Sequence, residues 1–358
     1  MKYVIHIGPR KTGSTYLQYS FTKHKAALRD AGIYYPTEFW PVAPNFKHVA
    51  LRVALQAPDE SLARIFAAFA SSGAEIVLLS CEGFAELSPK DLVMLHALTA
   101  PAPVEIVFFA RRWSDWIPSN WQLAVRLGSV VTFPEDYAEL SRHDNPYINI
   151  NLILDRFATI FGGEAIRILP YSTLMDDGRD ILEAFCANIL AWDPPRRDAP
   201  VQILNPSVDA STTELIRCLN RLEQRRPGTR PVARLWPVVR DLMTDPAVAA
   251  AAARVFDVMR NHVCSLEIRD DAEPLRAIFA DINNAYGDRI IGADSIFEPR
   301  RRAVDYVSQD FLLEPGGLDA VLAIHHAVTA RITAPGLAGQ DGSRQRPITD
   351  RILPADGQ

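Results

Sequence analysis

The chain has 358 residues, 48% apolar and 23% charged, with a formal net charge of -5. That profile belongs to a folded globular protein, long for one domain and short for two, and its acidic balance speaks against a nucleic-acid polymer as partner. Four cysteines without a C-x-x-C pair form neither a zinc motif nor a disulfide framework, no run of about 18 apolar residues marks a membrane span, and "MKYVI" lacks the layout of a signal peptide, so a cytoplasmic protein is expected.

Four short apolar runs read as buried strands: "YVIHIG" (3–8), "EIVLLS" (75–80), "VEIVFFA" (104–110) and "IRILPY" (166–171). They are rich in Ile, Val and Phe without strict alternation, as suits parallel strands covered on both faces. After the first run, Leu17, Phe21, His24 and Leu28 recur at helical spacing, with Gly32 as a stop. Residues 61–70 predict a further helix with Ser61 as N-cap. The alternation predicts an α/β fold with a parallel sheet. Beyond about residue 205 strand signals fade, and 211–224, 246–263 and 274–287 read as helices around a loop, "RRPGTRP" (225–231). We expect one domain over 1–332, its strands mainly within 3–171. Its helical part, about 205–332, should pack on the sheet. Residues 333–358, polar and rich in Gly and Pro, are expected to form a mobile tail.

The first strand runs into "HIGPRKTGSTYLQ" (6–18). Gly8 and Gly13 have the G-x-x-x-x-G spacing of a nucleotide P-loop, but Ser14 stands where its Lys should follow, with Thr15 next. A strand entering and an amphipathic helix leaving is the context of a phosphate loop, in which backbone N–H groups and a helix N-terminus face an anion. Arg10 and Lys11 add positive charge, and Ser14 and Thr15 place two hydroxyls in the first helical turn. A second candidate lies in "VFFARRWSDWIPSNWQLAVRLG" (107–128). Arg111 and Arg112 follow the third strand. A helix should start near Ser114 or Ile117, hold Pro118 and Ser119 in its first turn and close at Gly128. An Arg at a strand end and a Ser at the next helix start can grip one phosphate.

Together, "PRKTGSTYL" and the R-x7-S spacing of Arg111 and Ser119 resemble the sulfotransferases that use 3′-phosphoadenosine 5′-phosphosulfate (PAPS). The resemblance spans residues 3–120, and the loop is most similar to those of bacterial and carbohydrate-acting members. It implies a three-layer, P-loop-like α/β fold with a central parallel sheet of four to five strands and a helical C-terminal part. It also implies that Lys11, Thr12, Gly13, Ser14 and Thr15, with Arg10 beside them, hold the 5′-phosphosulfate, while Arg111 and Ser119 hold the 3′-phosphate. The shifted Lys then makes physical sense. PAPS has no γ-phosphate and needs a cation where charge grows on the oxygen between phosphorus and sulfur, which Lys11 could supply without a metal. PAP, adenosine 3′,5′-bisphosphate, would be the product.

A base must take the acceptor's proton. Glu82 follows the second strand at the carboxyl edge of the sheet, where carbohydrate-acting members of the family place a Glu; partial burial should raise its pKa. His48, in "NFKHVAL", is the rival base, whereas His6 reads as core. The family's late R-K-G-x-x-G segment has no match, leaving "FEPRRR" (297–302) and "RRPGTR" (225–230) as basic clusters for the nucleotide. The implied acceptor is a hydroxyl on a saccharide or small metabolite, and Tyr34, Tyr35, Trp40, Trp113 and Trp116 would suit sugar stacking. A P-loop kinase and a non-catalytic PAP-binding module are the alternative readings.

Overall fold

Five strands make one parallel sheet in the order β2-β3-β1-β4-β5: β1 (Lys2–Gly8), β2 (Ile33–Tyr34), β3 (Ile76–Ser80), β4 (Val104–Ala110) and β5 (Ile166–Pro170). The computed structural model describes residues 1–39, 47–195, 208–226 and 235–333. All four expected strands are present; the added one, β2, is a two-residue edge too short to carry a sequence pattern. Alternate residues of β1 enter different cores, Tyr3, Ile5 and Ile7 on one face and Val4 on the other. The second face is covered by Leu17 and Phe21 of the helix Ser14–Lys23 and by Ile181, Leu182 and Phe185. Helices therefore sandwich the sheet in three layers, which is why its strands are apolar throughout.

The chain places β3 on one side of β1 before returning on the other with β4. That reversal puts a crevice at the carboxyl ends of β1, β3 and β4, where open α/β sheets bind ligands.

Several boundaries differ from expectation. The first helix breaks at His24 and resumes over Lys25–Asp30. Asp59, not Ser61, caps Glu60–Ala70, because its carboxylate accepts from the Ser61 and Leu62 N–H groups. The helix after β4 starts at Trp113 and ends at Arg126, so Pro118 and Ser119 lie in its second turn.

The larger correction is at the C-terminal end. Helices Ala210–Gln224, Pro246–Met259 and Leu275–Tyr286 form as expected, but strands β6 (Val263–Arg269) and β7 (Arg301–Val307) also pair there as an antiparallel ribbon. On the inward side Cys264 pairs with Tyr306 and Leu266 with Val304, while Ser265 and Glu267 face out. This two-residue alternation is the pattern of a half-buried strand, and the helix expected over 246–263 ends before it, at Met259. A further apolar cluster joins Leu219, Val255, Val307 and Ile324, the last from the helix Gly317–Thr333. No helix among the described residues is long and apolar enough to cross a membrane. The expected tail beyond Thr333 and most of "RRPGTRP" lie outside those residues.

Candidate active site

The loop between β1 and its helix is shaped by backbone conformations that side chains oppose. Gly8 and Gly13 have φ of +101° and +76°. A Cβ on Gly13 would lie 2.1 Å from Ile181 Cδ1, and one on Gly8 would lie 3.1 Å from the Glu82 Cα. Lys11 also adopts a left-handed φ of +67°, a conformation that non-glycine residues take mainly where surrounding structure enforces it. Thr12 is buried and donates its hydroxyl to the Pro9 carbonyl at 2.6 Å, so it closes the loop instead of facing a ligand through that group. The Trp116 indole donates to the Arg10 carbonyl at 2.9 Å.

The helix Ser14–Lys23 opens on this loop without a capping side chain and without an acidic residue in its first turn. Its first N–H groups have no intrahelical acceptor. Ser14 is buried, and its Oγ has no hydrogen-bond partner. A buried hydroxyl without a partner is costly, which marks this as a place where a bound acceptor group would complete the structure. Thr15, by contrast, is exposed.

Arg111 leaves the end of β4, donates to the Lys11 carbonyl and packs over the Tyr171 ring at 5.4 Å, while its buried Nε has no partner. Burial, with Arg126 and then Arg111, holds the Lys11 amine down at about 8. Among the described residues neither Lys11 nor Arg111 forms a salt bridge. Lys11 and Arg111 thus place two cations beside a helix N-terminus, neither held in a salt bridge, with Asp115 near enough to act on Arg111. Ser119 is half-buried on the same helix as Arg126.

Arg10 is drawn away from this group. Its guanidinium pairs with Glu86, which also meets Arg52 at 3.0 Å and the Tyr147 hydroxyl at 3.2 Å. Arg112 is buried and pairs with Asp115 at 2.9 Å and Asp176 at 2.6 Å. The arginines of "FEPRRR" also have acidic partners: Arg300 binds Asp176 at 2.7 Å, Arg301 Asp271 at 2.7 Å and Arg302 Asp115 at 2.5 Å. That basic run holds the ribbon and helix together.

Glu82 begins the turn after β3, its main chain against Gly8. The Lys47 ammonium donates to its Oε1 at 2.5 Å, and Gln18, from the loop's own helix, donates to Oε2 at 3.3 Å. Burial works against its ionisation, yet Lys47 and Gln18 outweigh it and leave the pKa below the usual carboxylate value. The expected upward shift is therefore reversed, because a cation in contact outweighs desolvation.

His48 is corrected more fully. Its ring is completely buried; Nδ1 accepts from the Ser80 N–H at 2.9 Å and Nε2–H donates to the Pro36 carbonyl at 2.9 Å. Burial pushes its pKa down to about 4. Both nitrogens are committed to backbone, so it ties the segment before it to β3 and has no site left for an acceptor's proton. His6 is core, as expected, with Nδ1 on the Ser80 hydroxyl at 2.8 Å. Tyr35, Trp113 and Trp116 are buried in the apolar clusters and unavailable for sugar stacking. Tyr34 is half-buried with its hydroxyl on Glu38 at 2.5 Å, and Trp40 lies outside the described residues.

Lys47, Gln18, Tyr171 and Arg126 are the site neighbours that sequence reading missed. Arg126 had a signal: it lies seven residues after Ser119, on the same face of one helix. Lys47 had none, because its role follows from where the fold brings it.

No family model matches the chain, and no curated protein matches it. Among solved structures, a sulfotransferase from Alicyclobacillus acidocaldarius is similar, with 16% identity and a TM-score of 0.37, covering 57% of this chain and 87% of that one. A likeness of that degree is too low to carry activity or substrate across.

Proposed function

We propose that this chain is a sulfotransferase that moves a sulfonyl group from PAPS to a hydroxyl of a carbohydrate or small metabolite, with residues 1–332 acting as one unit. The observation that carries this reading is the approach of Lys11 and Arg111, neither held in a salt bridge among the described residues, at a helix N-terminus whose Ser14 hydroxyl is buried and unpartnered. Such a site is complementary to a phosphate-class anion. Ser14 in place of the P-loop Lys favours a donor without a γ-phosphate.

PAPS, when bound, supplies an activated sulfonyl group. Gly13 gives the backbone close access, and the Ser14 and Thr15 N–H groups with the Ser14 hydroxyl would hold the 5′ anion. Lys11 would neutralise charge on the leaving oxygen, and Arg111 with Ser119 would hold the 3′-phosphate. Glu82, beside Gly8, would accept the acceptor hydroxyl's proton at a carboxylate oxygen. Its lowered pKa keeps it ionised across neutral pH, and Lys47 orients it.

Thermal shift with PAP, set against ATP and Mg²⁺, tests the donor. Stabilisation by PAP is expected; stabilisation by ATP and Mg²⁺ alone would favour a kinase instead. Transfer from PAPS to a saccharide panel then separates an enzyme from a binding module. Glu82→Ala should lose transfer while PAP affinity stays nearly unchanged; full turnover in that variant would remove Glu82 as the base.

A further inference from the structure

Glu86 takes no part in the transfer itself, yet both of its carboxylate oxygens are engaged. Oε1 accepts from the Arg10 guanidinium and from the Tyr147 hydroxyl, the latter at 3.2 Å, and Oε2 meets Arg52 at 3.0 Å. Glu86 closes the turn that Glu82 opens. That turn is braced on its main chain: Arg156 donates to the Ala85 carbonyl at 2.8 Å and to the Leu87 carbonyl at 3.1 Å, on either side of Glu86. Arg52 lies along the same turn, its Cδ 3.1 Å from where a Cβ on Gly83 would be. Tyr147 is itself stacked on Trp116, with ring centroids 6.0 Å apart. Glu86 is therefore a braced carboxylate, held from several segments of the chain.

What it grips in the loop is the residue before Lys11. Loop residues 10 and 11 are held at three points: the Arg10 guanidinium by Glu86, the Arg10 carbonyl by the Trp116 indole at 2.9 Å, and the Lys11 carbonyl by Arg111. Lys11 has a φ of +67°, which its side chain opposes and its surroundings must maintain. Among these three holds, the one through Glu86 also ties the loop to the turn that carries Glu82. The Arg10 and Glu86 side chains are 38% and 24% exposed, so their pair is partly shielded from solvent, and a charge-assisted bond there is stronger than one in open water.

Building on the sulfotransferase reading, we propose that Glu86, acting through Arg10, is a positioning residue: it fixes the loop backbone at Lys11 against the turn of Glu82, so that the leaving-group cation and the base are set relative to each other. Arg10 is then a strut of the loop and not a ligand of the phosphosulfate. Glu86→Gln, Arg10→Ala, Arg10→Lys and the double variant Arg10→Ala with Glu86→Gln test it, with folding read from the thermal melt; Arg10→Ala serves if Glu86→Gln does not fold. Two readouts are needed: amide hydrogen exchange of residues 10–14 in the unliganded protein, and steady-state kinetics of transfer from PAPS. Loss of the charged bond should raise loop exchange about tenfold in Glu86→Gln and in Arg10→Ala, and the double variant should go no further, because the two residues act as one unit. A displaced Lys11 should lower kcat roughly 10- to 100-fold while KM for PAPS moves by less than about threefold. Arg10→Lys, which keeps the charge, should return kcat to within about threefold of wild type. Unchanged loop exchange in a folded variant overturns the proposal. So do faster exchange with full kcat, a loss confined to KM, and additive effects in the double variant. If wild type transfers nothing from PAPS, the sulfotransferase reading fails, and the strut stands only if loop exchange rises equally in the single and double variants.

Discussion

The helix after β1 and the helix after β4 both begin at the carboxyl edge of the sheet, but among the described residues only in the second does the first-turn serine bond a carboxylate. Asp270, fully buried, accepts from the Ser114 N–H at 2.9 Å and the Ser114 hydroxyl at 2.7 Å, and also from the Arg300 N–H at 3.1 Å. The helix after β1 offers the same unsatisfied N–H groups, yet it is surrounded by Lys11 and Arg111, and its Ser14 hydroxyl has no acceptor. One terminus carries its anion as part of the fold; the other has a buried serine hydroxyl with no acceptor. The difference teaches that a strand-to-helix turn becomes a candidate binding site through what the rest of the chain leaves out of it.

Four changes would break or sharpen this contrast. Lys11→Ala should have the largest effect, lowering sulfonyl transfer roughly 100- to 1000-fold with the fold intact, as measured by steady-state kinetics. Asp270→Ala should do the reverse. It strands Ser114 and the Arg300 N–H, costing about 3 kcal/mol in denaturant unfolding while PAP affinity measured at a permissive temperature changes little. Ser14→Asp would give the first terminus an anion of its own, and it should abolish most of the PAP-induced rise in melting temperature. Smallest should be His48→Gln, which should lower stability yet leave the pH profile of kcat/KM unmoved, since both imidazole nitrogens are bonded to backbone.

The same residues set two pH dependences. For kcat/KM, the alkaline limb should fall near 8, as the free enzyme's Lys11 loses its proton, and the acid limb should lie below the ordinary carboxylate range because Lys47 holds Glu82 ionised. An alkaline limb that stays put in Lys11→Gln would exclude Lys11 from the profile. Stability has a separate acid limit. His6 and His48 are held near 4 in the folded protein against an ordinary 6.5. Because the unfolded chain binds those protons more readily, their contribution is fully present above about 6.5 and is lost as the pH falls toward 4. Melting temperatures measured across that range check it.

The sheet was legible because burial on both faces leaves a mark that needs no neighbours, a continuous run such as "VEIVFFA". The loop was legible because Gly8 and Gly13 occupy conformations that other residues resist. His48 and the five aromatic candidates were not, since a polar or aromatic side chain reads alike in a core and in a cleft. Burial with both nitrogens bonded to backbone decides the case of His48, and burial in the apolar clusters decides that of Tyr35, Trp113 and Trp116. The ribbon β6/β7 carries a signal in the alternation of Cys264, Leu266 and Ile268, but a half-buried strand this short stands out weakly between two long helical patterns.

By itself, then, the sequence determined the parallel sheet, the turn out of β1 and the positive charge carried by that turn, because local sterics and apolar periodicity act within a few residues. Only the tertiary structure decided which charges remain free. Arg10 is paired with Glu86 and Arg112 with Asp115 and Asp176, while among the described residues Lys11 and Arg111 form no salt bridge. Charge pairing depends on distances of a few ångströms between residues far apart in the chain, and those distances exist only once the layers have packed.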